Sequence, residues 1–258
     1  NYQVHLFKSQ GAGHGGFLLY HFVVLFFGMF PSSILAVDEL FRKTDYEKSQ
    51  SVYHTFMKIL FWVVLILFTI VRTKIVHYSS LCYFPLTYFA AFFLFRLSKN
   101  EIKVKRYILW LISVTGGLYI ILVACAPFAD KLKLIILRYI EIADPFAIAC
   151  IMADAGWKGY EALPAVILLT GLVILLINRK MSFFTRFVYF FVCSVIFTFL
   201  SVIFITPRAE RYSQHAAIEF FKSVSHEDAY VETLGYKSYA HLFYGRKMPA
   251  SKPEAYSK

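Results

Sequence analysis

The chain has 258 residues, of which 59% are hydrophobic and only 17% are charged, and its formal net charge is +11. A water-soluble domain of this size carries more charge, so the composition excludes an ordinary soluble protein and predicts a polytopic membrane protein. The lysines and arginines lie mainly between apolar runs rather than on one face. We therefore expect membrane lipids and anionic lipid-linked molecules as partners, and no nucleic acid.

Six apolar runs approach the ~20 residues that a helix needs to cross ~30 Å of hydrocarbon. Backbone groups in lipid have to be hydrogen-bonded within their own segment, so runs of this length are predicted to be helices. The six predicted spans are residues 17–37, 56–71, 80–97, 107–127, 163–177 and 183–205. Four cysteines lie mostly inside these runs, without the spacing of a metal site or a disulfide framework: Cys82, Cys125, Cys150 and Cys193.

The distribution of basic residues predicts the orientation of these spans. The loops at 38–55, 96–106 and 178–186 are rich in lysine and arginine, so the positive-inside rule places them in the cytoplasm. The other loops and both chain ends then face outward, which in a bacterial inner membrane is the periplasmic side. The outward loop at 128–162 also carries four basic residues, which opposes this orientation.

Two segments outside the spans have distinct patterns. Residues 132–141 mix apolar and charged residues at helical intervals, which favours an interfacial helix on the outer leaflet, and Trp157 and Tyr160 suit an aromatic belt. Beyond residue 205, Pro207 suits a helix start and residues 209–224 have a helical pattern.

Residues 230–234 and 239–244 have the pattern of two short strands around a glycine. We therefore predict an all-α transmembrane region at 1–205, followed at 206–258 by the start of a small outward α/β domain. The chain begins with Asn1 and ends in a polar stretch, so we expect a fragment of a longer protein.

Lys74 and Tyr78 stand at the edge of an apolar run. If the preceding helix continues through Tyr78, the two side chains share one face and could bind a phosphate through an ammonium and a directed hydroxyl. The alternative is that Lys74 extends to lipid headgroups while Tyr78 belongs to the aromatic belt.

His5 and Lys8 lie one helical turn apart ahead of the first span and could donate to the same anion, or they could belong to a solvated loop. The glycine-rich stretch at 11–16 allows close backbone approach but lacks the strand and helix of a nucleotide loop. His5, His14 and His21 match no zinc spacing, and His21 suits packing better than ligation. Five acids fall in outward positions without any being marked as a general base: Asp130, Glu141, Asp144, Asp154 and Glu161.

Two motifs together resemble a known family. The first motif is His5-x-x-Lys8, a glycine-rich turn, aromatic residues at 17–20 and Gly28-x-x-Pro31; the second is Lys74-x-x-x-Tyr78 followed by Pro85. They resemble the C-terminal half of the bacterial lipid-linked-sugar glycosyltransferases related to protein O-mannosyltransferases and to the aminoarabinose transferase of lipid A. The likeness extends over nearly the whole chain, although Pro85 follows Tyr78 at a longer interval than the family pattern.

The resemblance implies an inverting GT-C transferase that moves a sugar from a polyprenyl-phosphate carrier to a lipid, glycan or protein acceptor on the outer side of the membrane. It assigns contact with the carrier phosphate to Lys8 and Tyr78, makes Lys74 a neighbour, and places His5 near the site. A divalent metal at His5 is compatible with the resemblance but does not follow from it. The family's catalytic acid lies upstream of the residues present here, so no catalytic residue is assigned and this chain alone is expected to be inactive.

Two other functions use the same features. A transporter or flippase of lipid-linked intermediates would also hold an anion, but it predicts paired broken helices and buried charges at mid-bilayer. A non-catalytic membrane scaffold predicts no convergent outward site.

Overall fold

The computed structural model describes residues 17–42, 48–71, 74–139, 142, 145–228, 231–232 and 239–248. Within these residues the chain is helical and contains no strand. The α-helices are α1 Tyr20–Gly28, α2 Ser32–Phe41, α3 Lys48–Ile70, α4 Tyr83–Ser98, α5 Arg106–Cys125, α6 Ala129–Tyr139, α7 Pro145–Met152, α8 Leu163–Ile177, α9 Phe183–Arg211, α10 His215–Ser223 and α11 Ala240–Tyr244. Short 3₁₀ helices occupy Val76–Cys82, Ala126–Phe128, Tyr160–Ala162 and Val224–His226.

Five helical segments among the described residues are long and apolar enough to cross a membrane, and a sixth is counted if α1 and α2 form one bent span. The five are Gln50–Ile70, Val76–Ser98, Arg106–Lys133, Tyr160–Ile177 and Phe183–Arg211. The prediction of a helical protein with about six segments long and apolar enough to span a membrane is confirmed.

The predicted first span is not one continuous helix. α1 ends at Gly28 and α2 begins at Ser32, with a bend of 116° between them. Pro31 stands directly before the first residue of α2, where its missing N–H costs no helical hydrogen bond. The hydroxyl of Ser33 donates to the carbonyl of Phe26 at 2.6 Å, and this bond supplies a partner to a backbone group at the end of α1.

Several predicted boundaries also move. α3 begins at Lys48, well before the predicted residue 56. The prediction missed its first two turns because polar residues occupy them and lower the hydropathy there. The prediction that Pro207 starts a new helix is wrong, since α9 continues through Pro207 to Arg211. Arg208 and Arg211 in the last turn of α9 both donate to the carbonyl of Ala155, at 3.3 and 3.2 Å, and these contacts hold the turn in place.

The chain divides into two compact units. The first unit comprises residues 1–121 and 165–197, and the second comprises 122–164 and 198–258. In the first unit α2 packs along α4, and both helices carry side chains with no exposed surface: Ile34, Leu35, Phe89 and Phe93. The ring of Phe93 also lies edge-on to Phe187 of α9 at 6.2 Å, which ties α9 to the same core.

The second unit contains the helix predicted for the interface. α6 covers most of the predicted range 132–141, and its side chains of Leu132, Ile135 and Tyr139 are exposed. The helix itself is confirmed, while its position at a membrane surface stays a prediction.

The predicted second strand at 239–244 is wrong, because residues 240–244 form α11. The helix buries His241, whose ring lies 6.3 Å from that of Phe221 in α10. A short apolar run fits both periodicities, and here packing against α10 selects the helix. The first predicted strand falls partly outside the described residues. The described parts of 206–258 contain no strand, and the α/β domain stays a prediction.

Candidate functional site

Lys74 follows the end of α3 and is almost buried, with 7% of its surface exposed. Its ammonium donates to the carbonyls of Phe68 at 3.1 Å and Thr69 at 2.7 Å. These carbonyls belong to the last turn of α3, where no intrahelical donor is available. Lys74 therefore caps the C-terminus of α3, and its charge is favourable at that end of the helix dipole.

The sequence interpretation assumed that one helix continues from Lys74 through Tyr78, and the structure does not contain such a helix. α3 ends at Ile70, Ile75 has an extended backbone, and Tyr78 lies in the following 3₁₀ helix. The two side chains consequently do not share a face of one helix. Burial lowers the pKa of Lys74 below its usual value of 10.5.

Tyr78 is half-buried, and its ring packs between two other aromatic side chains. Its ring lies 5.3 Å from Phe68 and 5.2 Å from the exposed His77. Among the described residues, none hydrogen-bonds to the hydroxyl of Tyr78. A tyrosine hydroxyl without a hydrogen-bond partner can donate to an anion without breaking an existing hydrogen bond.

A cavity of about 590 Å³ begins two residues after Tyr78. It runs along the first part of α4, and its lining is mostly apolar: Ser80, Leu81, Tyr83, Phe84, Thr87, Tyr88 and Ala91. A cavity of this composition can hold a hydrocarbon chain.

His21 connects the first motif segment to the second. It is fully buried near the start of α1, and its Nδ1 lies 3.2 Å from the hydroxyl of Ser79. Its Nε2 has no hydrogen-bond partner among the described residues, and Lys74 lies close enough to interact with it electrostatically. α1, which lies within the first motif, therefore packs directly against the residue that follows Tyr78 in the second motif.

His5 and Lys8 lie outside the described residues. Their approach to Tyr78 stays a prediction.

A charge network that the sequence did not reveal lies where α2 ends. Glu39 has no exposed surface, and its carboxylate lies 3.1 Å from Arg42 and 3.4 Å from Arg96. Arg96 also pairs with Glu101 at 3.3 Å. The sequence placed this segment in a loop, because acids that follow an apolar run are usually solvated.

Asp38 completes the network. Its carboxylate accepts hydrogen bonds from Arg42, from Lys105 at 2.7 Å and from the hydroxyl of Tyr107. These bonds join the loop at 38–55 to the loop at 96–106, two of the three loops predicted to share one side of the membrane. α3 ends at Ile70, and Lys58 near its middle donates to the carbonyl of Arg42 at 3.4 Å, so the network lies beside the middle of α3, whereas Lys74 lies beyond its C-terminus.

Two acids of the second unit that are predicted to face outward, Asp130 and Glu161, have structural partners. Asp130 accepts from the hydroxyl of Tyr212 at 2.8 Å and from Lys133 at 3.0 Å. Glu161 is fully buried and accepts from Arg208 at 2.9 Å. These contacts commit both carboxylates to the packing of the loop at 153–162 against the end of α9.

The other acids that are predicted to face outward are not marked as a general base either. Asp154 accepts from the backbone N–H of Gly156 at 2.8 Å, while Glu141 and Asp144 lie outside the described residues. In the part of the chain that the structure describes, no group of three His, Cys, Asp or Glu side chains could hold a metal ion.

No family model matches the sequence. Comparison with curated proteins and with solved structures also finds no match. The fold and the site accordingly define a class, an α-helical protein with several helices suited to a membrane.

Proposed function

We propose that this protein is an integral-membrane glycosyltransferase that moves a sugar from a polyprenyl-phosphate carrier to an acceptor on the outer face of the membrane. Two observations support the proposal: the hydroxyl of Tyr78 has no hydrogen-bond partner among the described residues, and an apolar cavity along α4 has a lining that begins at Ser80. A polyprenyl phosphate needs both features, a donor for its phosphate and an apolar surface for its chain.

Each residue of the site has a separate part in this proposal. Tyr78 donates to the carrier phosphate, and Lys8 supplies the compensating cation, with His5 beside it. Lys74 keeps its two bonds to α3 and adds positive potential rather than a direct contact. In this proposal a carboxylate removes the proton from the acceptor, and that role is assigned to none of the acids of this chain.

One observation favours the second candidate, a transporter or flippase of lipid-linked intermediates. The break between α1 and α2 resembles the interrupted helices of transporters. The buried acids of α2, however, are both paired with cations of the chain, so neither is a free charge for a transported ion. We therefore prefer the transferase.

The test measures binding of undecaprenyl phosphate to the purified chain in nanodiscs by native mass spectrometry. Tyr78→Phe removes one hydrogen bond to an anion, which is worth about 1.5–3 kcal/mol and corresponds to a loss of affinity of roughly 10-fold or more. Tyr189→Phe, which alters an exposed tyrosine on α9, is the matched control and should bind normally.

Sugar transfer in membranes that contain the natural protein separates the two candidates. A transferase loses transfer of labelled sugar in Tyr78→Phe, whereas a flippase shows no transfer in any variant. Equal binding by Tyr78→Phe and Tyr189→Phe would refute the assignment of the phosphate site to Tyr78.

A further inference from the structure

A second cavity lies in the first unit, at the start of α9. Its volume is about 520 Å³, and its lining comes from the loop after α4 and from the first residues of α9: Leu97, Ser98, Asn100, Ile102, Lys103, Val104, Ser182, Phe183 and Phe184. It joins two of the three basic loops, those at 96–106 and 178–186.

The lining is divided between apolar and polar groups. Leu97 and Ile102 are buried, and Phe183 and Phe184 add two aromatic rings. Some of the polar groups in the lining already make hydrogen bonds within the chain, and others do not. The hydroxyl of Ser98 already donates to the carbonyl of Phe95 at 2.7 Å.

The hydroxyl of Ser182 is likewise engaged, since it lies 2.8 Å from that of Thr185. Asn100 and Lys103 are both exposed, and neither side chain has a partner among the described residues. The cavity thus offers one cation and one amide above an apolar surface.

The charge around this cavity is not balanced. The acids of the neighbouring network are occupied, since Glu101 pairs with Arg96 and Asp38 pairs with Lys105. Six cations in the two loops have no carboxylate partner among the described residues: Lys99, Lys103, Arg106, Arg179, Lys180 and Arg186. An anion is therefore the complementary ligand.

We propose that this cavity binds an anionic phospholipid from the leaflet at this end of the spans. Lys103 and Asn100 donate to the phosphodiester, and an acyl chain lies against Leu97, Phe183 and Phe184. A bilayer lipid combines the negative charge and the hydrocarbon that the two halves of the lining require. This site is separate from Tyr78 and does not depend on the glycosyltransferase proposal.

The test uses the delipidated full chain in a neutral detergent. Its thermal unfolding is followed during titration with dioctanoyl phosphatidylglycerol, dioctanoyl phosphatidylcholine or inorganic phosphate. Phosphatidylglycerol should raise the Tm at concentrations where the other two have no effect. Lys103→Gln should weaken phosphatidylglycerol binding about fivefold, the effect expected for one basic residue near an anionic lipid.

Lys99→Gln is the matched control. It removes the same charge from the same loop, but Lys99 does not line the cavity and rests over the ring of Phe95 at 5.8 Å. Affinity should change less than twofold. A third variant, Ser98→Trp, fills the cavity from an exposed position and should abolish the Tm rise while leaving the lipid-free Tm near that of the natural protein.

Three results would overturn the proposal. Equal weakening by Lys103→Gln and Lys99→Gln would indicate general surface attraction rather than a site. An equal response to phosphatidylcholine would remove the role of charge, and a Tm rise with phosphate alone would remove the role of the acyl chain.

Discussion

The sharpest prediction concerns Glu39, which has no exposed surface and lies between Arg42 and Arg96. The network contains three carboxylates and three cations, so Glu39→Gln leaves one buried cation without its counter-charge while preserving the shape of the side chain. Breaking a buried ion pair from one side costs about 3–5 kcal/mol. For a chain of this length, a loss of about 3 kcal/mol corresponds to a fall in Tm of roughly 6–12 °C.

The assay is thermal unfolding of the purified protein in detergent. Glu219→Gln is the control, because Glu219 forms an ion pair with Lys222 at 2.9 Å that is about half exposed on both sides. An exposed pair contributes little, so this variant should unfold close to the natural protein. A Tm for Glu39→Gln that equals the Tm of Glu219→Gln would refute the view that the network clamps α2 to α4.

Two further predictions concern packing and capping. Gly171→Ala should lower stability by about 1–3 kcal/mol in thermal unfolding, because a Cβ there would lie 2.7 Å from the Cβ of Cys193, whereas Gly117→Ala has open space and should not. Lys74→Met should cost about 1–3 kcal/mol, because it leaves carbonyls at the end of α3 without their donor. Burial lowers the pKa of Lys74, so the folded state releases this proton at lower pH than the unfolded state, and the natural protein gains stability as the pH rises through this range. The Tm deficit of Lys74→Met should therefore grow as the pH rises from 8 toward 10.5. A deficit that shrinks over this range would contradict the assignment.

The spans could be predicted because hydropathy and length are local properties of the sequence. The run at 163–177 matches α8 to the residue. The break between α1 and α2 was equally visible as Gly28 and Pro31, yet the uninterrupted hydropathy outweighed the missing N–H of the proline. Local backbone chemistry decided the structure where hydropathy did not.

The partners of charged side chains could not be predicted in the same way. Nothing near Glu39 in the sequence indicates that Arg96 faces it, because the contact depends on how α2 packs along α4. The capping role of Lys74 was also missed, because it requires α3 to end at Ile70 and the chain to turn back. Both results follow from tertiary structure that spacing does not encode.

The position of Lys74 changes how the proposed phosphate site has to work. Its ammonium already makes two short bonds to carbonyls, and moving it toward an anion would leave both groups unsatisfied in a buried place. A phosphate beside Tyr78 therefore needs its compensating charge from another segment. The proposal gives this role to Lys8, which precedes the contact of His21 with Ser79 by thirteen residues in the sequence. The proposal consequently requires Lys8→Ala to weaken undecaprenyl phosphate binding more than Lys74→Met does, and the reverse order would assign the phosphate to Lys74 instead.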